Sequence, residues 1–173
     1  MTTAKKAAPR VHFIGIGGIG VSALARAFLH RGWAVSGSDA APSPLTAELK
    51  KEGIKISIPH STRNIRRSID KVIYSLAVRS HNPERVCARE LGIPSMTYPA
   101  ALGEFMRDYV TIAVSVSHGK STTTAMISLM LIRAGFDPTV IVGTKLRELK
   151  NKNFRAGKSE YLVVEADEWD KAF

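Results

Sequence analysis

A chain of 173 residues has room for one complete domain and part of a second, and 45% hydrophobic residues suits a globular core, which excludes disordered and collagen-like classes. No apolar run approaches the roughly 20 residues of a membrane-spanning helix, and the opening MTTAKKAAPR leads into a strand without a signal-peptide apolar region, so the expectation is a cytoplasmic protein with no membrane partner. The net charge of +10 is dispersed over the tail (Lys5, Lys6, Arg10), a short segment (Arg63, Arg66, Arg67) and an expected loop (Lys145, Arg147, Lys150, Lys152, Arg155, Lys158), with no interleaved aromatics, so nucleic acid is not an expected partner.

Apolar runs of about five residues alternate with segments of helical period, the pattern of an α/β fold with a mainly parallel sheet. Strands are expected at Val11 to Ile14, Ala34 to Gly37, Ile54 to Ile58, Lys71 to Ser75, Ile93 to Met96, Val110 to Val114 and Tyr161 to Glu165, with Thr139 to Val142 as a further candidate. Helices are expected from Ile19 to Arg31, stopped by Gly32, and from Pro44 to Glu52, capped by Ser43 and stopped by Gly53. Others follow Asn82-Pro83 up to Gly92, run from Pro99 to about Met106, and run from Ser121 to Ala134. A domain boundary is placed at Arg107-Asp108-Tyr109, giving a Rossmann-like domain over 1–107 and the beginning of a P-loop ATPase α/β domain over 108–173. Cys87, the only cysteine, excludes an internal disulfide and reads as a helix-packing residue.

The run Gly15-Ile16-Gly17-Gly18-Ile19-Gly20 follows the first strand and opens the first helix, as G-x-G-x-x-G does at a diphosphate. The first glycine allows the tight turn, the second lets backbone amides approach the ligand, and the third lets helix and strand pack closely. The helix start adds unpaired amides and a positive dipole end. Asp39 lies nineteen positions after Gly20 at the end of the second strand, where a carboxylate commonly accepts a ribose hydroxyl. Taken alone, this half reads as an NAD-dependent dehydrogenase or simple nucleotide-binding module, or as a glycine turn that serves packing only.

A second phosphate loop, Ser115-Val-Ser117-His118-Gly119-Lys120-Ser121-Thr122, also joins a strand to a helix. A lysine after glycine places a cation on nucleotide phosphates, and the next hydroxyl can coordinate Mg²⁺. The strict G-x-x-x-x-G-K-[ST] pattern fails because Val114 stands at its first glycine. Downstream, Val163-Val164-Glu165-Ala-Asp167-Glu168 is a strand ending in three carboxylates, suited to holding Mg²⁺ beside a phosphate loop. Glu165, directly after the apolar run, is the preferred ligand, whereas Asp167 and Glu168 fit a solvated strand end equally well.

From His12 to Phe173 the chain resembles the Mur ligase family, and within it the branch that joins UDP-N-acetylmuramic acid to L-alanine. The motifs carrying the resemblance are IGIGGIGVSALA, the GSD at Gly37 to Asp39, His60 with Asn64-Ile65, VIYSLAV with Asn82-Pro83-Glu84, SHGKSTTTA and VVEADEWDKAF. The resemblance implies that the first domain holds UDP-muramic acid rather than NAD, through Gly15, Ile16, Gly17, Gly18, Ile19, Gly20, Asp39, His60 and Ser75. It implies ATP at Ser117, His118, Gly119, Lys120, Ser121 and Thr122, with Mg²⁺ at Ser121 and Glu165, and Lys120 and Glu165 as the catalytic pair. The muramyl carboxylate would be activated as an acyl phosphate and captured by the alanine amine, with positioning and charge neutralisation supplying the catalysis. His118 is read as shaping the loop.

Two departures stand out. The family's loop reads G-T-H-G-K-T or similar, whereas here Val116 and Ser117 replace the first two residues; a β-branched valine is disfavoured at positive φ and is expected to weaken ATP binding. The chain also ends just after the acidic motif, before the rest of the ATPase domain and the family's third domain, so it is expected to have no ligase activity alone. A ligase that attaches a recycled tripeptide to the same UDP-sugar, and a non-catalytic homologue retaining the sugar site, stay open as alternatives. So does the oligomeric state.

Overall fold

The computed structural model describes residues 7–115 and 118–166. They form two compact units, the first comprising residues up to Gly17 with Phe28–Met96, the second Gly18–Ala27 with residues from Thr97 onward.

In the first unit β1 (Arg10–Ile14), β2 (Ala34–Ser38), β3 (Lys55–Ser57), β4 (Lys71–Tyr74) and β5 (Ser95–Thr97) form one sheet in the order β3-β2-β1-β4-β5. β1 pairs parallel with β2 and β4, and β2 with β3, as strand-helix-strand winding requires. As the central strand, β1 is buried on both faces, so Val11, Phe13 and Ile14 are fully buried and His12 is sealed in with them. The expected third strand is cut to three residues and the connection to β4 holds only a 3-10 turn, Thr62–Asn64. Ile65 and Ile69 from that connection join Ile14, Val72, Ala88 and Ile93 in one apolar cluster, with Cys87 packed against it as expected.

Helix punctuation follows local chemistry. In α2 (Pro44–Lys51) Ser43 and Thr46 satisfy each other's backbone amides as a capping box, and in α3 (Pro83–Glu90) the Asn82 side chain accepts from the amides of Glu84 and Arg85. Gly53 and Gly92 follow these helices at positive φ, as stop signals should. α1 (Ile19–His30) follows the glycine turn, and most of it groups with the second unit.

The second unit contains α4 (Tyr98–Met106), capped by Thr97 one residue earlier than expected, then β6 (Val110–Val114), α5 (Lys120–Arg133), β7 (Thr139–Leu146), β8 (Lys152–Arg155) and β9 (Tyr161–Glu165). The sheet order is β6-β9-β7-β8; β9 runs parallel to β6 and β7, whereas β8 is antiparallel to β7. The sheet is therefore mixed, and β8 corrects the expected loop. Its sequence KNFR lacks an apolar run because one face is edge-exposed, while Asn153 is fully buried through hydrogen bonds. Val140, Val142 and Leu149 form the apolar cluster here, and α5 packs on β7 and β9. Thr124 and Ser128 are buried on α5 because each returns its hydroxyl to a carbonyl one turn back, at 2.8 and 2.7 Å.

Asn153 also holds the start of α1. Its amide nitrogen donates to Ile19 O at 2.6 Å and Ser22 Oγ at 3.0 Å, and its carbonyl oxygen accepts from the buried Arg26 guanidinium at 2.5 Å. Among the described residues, no helix is long and apolar enough to cross a membrane.

Candidate functional site

The glycine turn begins where β1 ends. Gly15 takes φ +79°, and the amides of Gly15 and Ile16 both donate to Ser38 O, at 2.9 and 3.0 Å, joining the turn to the carboxyl end of β2. Gly17 follows with its amide 2.7 Å from Asp39 Oδ2, and a Cβ at Gly17 would stand 2.7 Å from that same oxygen. The second glycine of the motif therefore admits the Asp39 carboxylate. Asp39 Oδ1 accepts from Ala40 N at 2.7 Å, so each carboxylate oxygen keeps lone-pair capacity for a ligand hydroxyl. Ser75 adjoins the turn from β4: its amide donates to Ile14 O at 3.0 Å, and its Cβ lies 3.0 Å from where a Gly15 Cβ would be. Gly18, Ile19 and Gly20 group with the second unit, where a Cβ on Gly20 would meet the Tyr98 hydroxyl at 2.6 Å. The third glycine thus makes room for an α4 side chain rather than for a strand.

His60 lies beside Asp39's neighbour, with Nδ1 2.9 Å from Ser38 Oγ. Behind them is Glu84, fully buried at the first turn of α3. Its Oε1 accepts from Asn64 Nδ2 at 2.6 Å and Ser61 N at 3.0 Å. Its Oε2 accepts from Ser38 Oγ and faces His12 Nε2 and His60 Nδ1, each at 3.5 Å. Burial, the largest single influence, pushes the carboxyl pKa up, but the facing His12 imidazole and the donors Ser38, Asn64 and Ser61 together outweigh it and bring it from 4.5 down to about 2. Glu84 and His12 were not expected as site residues. Only Asn82-Pro83-Glu84 hinted at the first, through a capped helix start, and a histidine inside an apolar strand hinted at the second.

In the second unit Gly119, at φ +80°, starts α5 without a side-chain cap, so the cap position offers backbone amides at the helix's positive end. Ser121 Oγ lies 3.0 Å from both Glu165 oxygens, brought together by the β6–β9 pairing that sets Val114 opposite Glu165. Gly143 on β7 donates its amide to Glu165 Oε2 at 2.7 Å and has no side chain to block it; a Cβ there would stand 2.8 Å from that oxygen. Gly143 was missed because its relation to Glu165 depends on register between β7 and β9. Lys120 opens α5, His118, Gly119 and Thr122 are exposed, and Ser121 is half-buried. Val116, Ser117, Asp167 and Glu168 lie outside the described residues. A hydroxyl and an ionisable carboxylate at an uncapped helix N-terminus fit Mg²⁺, which prefers hard oxygen ligands, and an adjoining phosphate chain.

The sequence profile of the Mur ligase family, catalytic domain, matches residues 10–110. The chain belongs to the Mur ligase family. Other Mur ligases carry the likeness across almost its whole length. The UDP-N-acetylmuramate–L-alanine ligase of Acetivibrio thermocellus is 47% identical over 164 residues, 94% of this chain and 34% of the relative. The same-named enzyme of a Sulfurihydrogenibium strain is 44% identical over 164 residues, 95% and 36%. The crystal structure of the UDP-N-acetylmuramate-alanine ligase of Thermotoga maritima superposes with a TM-score of 0.82 at 37% identity, covering 90% of this chain and 36% of that one. The crystal structure of the UDP-N-acetylmuramate:L-alanyl-γ-D-glutamyl-meso-diaminopimelate ligase of Neisseria meningitides gives a TM-score of 0.87 at 26% identity, covering 95% of this chain and 54% of that one. The chain thus spans about a third of the length of the curated relatives it matches.

Proposed function

We propose that this chain carries the UDP-sugar site and the first part of the ATP site of a ligase that joins L-alanine to the carboxylate of UDP-N-acetylmuramic acid, for peptidoglycan precursor synthesis. The observation that carries the reading is the Ser121 hydroxyl set 3.0 Å from both oxygens of Glu165 at the start of α5. A dehydrogenase with the first glycine turn alone has no use for that arrangement. Functionally, residues 1–107 form the UDP-sugar half and 108–173 the opening of the ATP half.

Gly15, Ile16 and Gly17, with Gly18, Ile19 and Gly20 at the start of α1, present the turn to the diphosphate, and Asp39 with His60 and Ser75 borders the uridine side. Lys120, the amides following Gly119, and Thr122 would hold the ATP phosphates together with Ser117 and His118, while Ser121 and Glu165 would hold Mg²⁺. The bound Mg²⁺·ATP supplies a phosphoryl group that turns an unreactive carboxylate into an acyl phosphate with a good leaving group. Lys120 neutralises phosphate charge, and Glu165 keeps the metal-side hydroxyl in place. Identities of 44–47% to L-alanine ligases, against 26% to the tripeptide ligase, favour L-alanine as the second substrate.

Isothermal titration of this chain with UDP-muramic acid, NAD and ATP tests the reading. Binding of UDP-muramic acid without NAD is the expected result; NAD binding that excludes UDP-muramic acid would overturn it.

A further inference from the structure

The Ser38 hydroxyl lies between an imidazole nitrogen and a carboxylate, and it has one proton. Glu84 receives hydrogen bonds on both oxygens from Ser61, Asn64 and Ser38 and faces the imidazoles of His12 and His60 with Oε2, a set of donors that holds the carboxyl in its ionised, acceptor-only form. The Ser38 proton is therefore directed to Glu84, and Ser38 Oγ can only accept from His60. The hydrogen of His60 is thereby placed on Nδ1, which also faces Glu84 Oε2 at 3.5 Å. His60 Nε2 is left as a lone-pair acceptor. It makes no hydrogen bond to any described residue, and the His60 side chain is 17% exposed beside Ser38 and Asp39 while Glu84 is completely buried.

We propose that Glu84 is a positioning residue for nucleotide recognition: through Ser38 it holds His60 in the Nδ1–H tautomer, so that Nε2 accepts a hydrogen bond from a ribose hydroxyl of the UDP-sugar. Asp39, whose two oxygens already accept from Gly17 and Ala40, then shares the two ribose hydroxyl donors with His60. The assignment rests on the UDP-sugar reading of this half. It explains why a fully buried carboxylate, which touches no ligand itself, gathers Ser38, Ser61, Asn64, His12 and His60 around it at the carboxyl end of β2.

The test is long-range proton–nitrogen NMR of this chain labelled with ¹⁵N-histidine, with His60 assigned by the signal lost in His60→Gln. The expected spectrum of the unliganded wild type shows His60 protonated on Nδ1 and not on Nε2, with UDP-muramic acid shifting the Nε2 resonance. A wild-type His60 in the Nε2–H form, or an Nε2 signal that ignores a bound UDP-sugar, overturns the proposal. In Glu84→Gln the side-chain amide offers one oxygen where donors occupied two, so His60 is expected to revert to Nε2–H and UDP-muramic acid affinity to fall about tenfold. A folded Glu84→Gln protein with unchanged tautomer and affinity also overturns it. If that variant does not fold, the wild-type tautomer and ligand shift still decide. Failure of UDP-muramic acid to bind the wild type would instead count against the site reading, because the unliganded tautomer tests Glu84 without it.

Discussion

Gly143 and Glu165 are held together by a 2.7 Å hydrogen bond from amide to Oε2, at a spacing that leaves no room for a side chain on the glycine. The atom a new Cβ would meet is the movable end of a glutamate, so the fold can absorb the collision by shifting the carboxylate. Gly143→Ala is expected to lower Mg²⁺·ATP affinity about tenfold in the whole ligase, roughly 1.4 kcal/mol, while the urea midpoint of this chain moves little. Calorimetric titration with nucleotide beside urea unfolding separates the two effects, and equal affinities would remove Gly143 from the site.

Ser121→Ala removes the hydroxyl that meets both Glu165 oxygens, whereas Ser121→Thr retains it. The alanine variant is expected to lose most Mg²⁺-dependent nucleotide binding at a stability cost of about 1 kcal/mol for one partly buried hydrogen bond. Threonine is expected to restore binding. Nucleotide titrations with and without Mg²⁺ check the pair of outcomes.

Glu84 makes the first unit sensitive to acid. Its carboxyl titrates near 4.5 when unfolded and about 2 when folded, so its stabilisation is complete above pH 4.5 and is lost as the pH falls through about 2. The acid-sensitive part is on the order of 3 kcal/mol. Urea unfolding between pH 6 and pH 2 is expected to show this loss in the wild type and a flatter profile in Glu84→Gln.

Asn153→Ala would leave the Ile19 carbonyl and the Ser22 hydroxyl without the donor that reaches them from β8, and would remove one acceptor from the buried Arg26. Losses of this kind at a fully buried site cost roughly 2 to 3 kcal/mol. Chemical denaturation measures it, and amide hydrogen exchange at the start of α1 is expected to rise in the same variant.

Val116→Gly restores the glycine that the family's loop carries at that place. Nucleotide affinity of the whole ligase is expected to increase, because glycine accepts positive φ and adds no side chain near the phosphates. Equal affinities for the two proteins would end that explanation of the departure.

Much of this protein was decided by local sequence. Ser43-Pro44, Asn82-Pro83 and the glycines after those two helices carry their caps and stops within a few residues, and the five apolar runs of the first unit alternate with helical segments, so a mainly parallel sheet could be anticipated, although not its strand order. The two glycine-containing connections could be located for the same reason, since each joins a strand directly to the next helix in the chain. Tertiary structure decided what depends on partners far along the chain. KNFR becomes a strand only because β7 offers it an edge, and Gly143 matters only because register sets it beside Glu165. His12 and Glu84, 72 residues apart in number, become one site only when β1 and α3 close around them, because a buried charge is stable where several distant donors converge and nowhere that short-range sequence can specify.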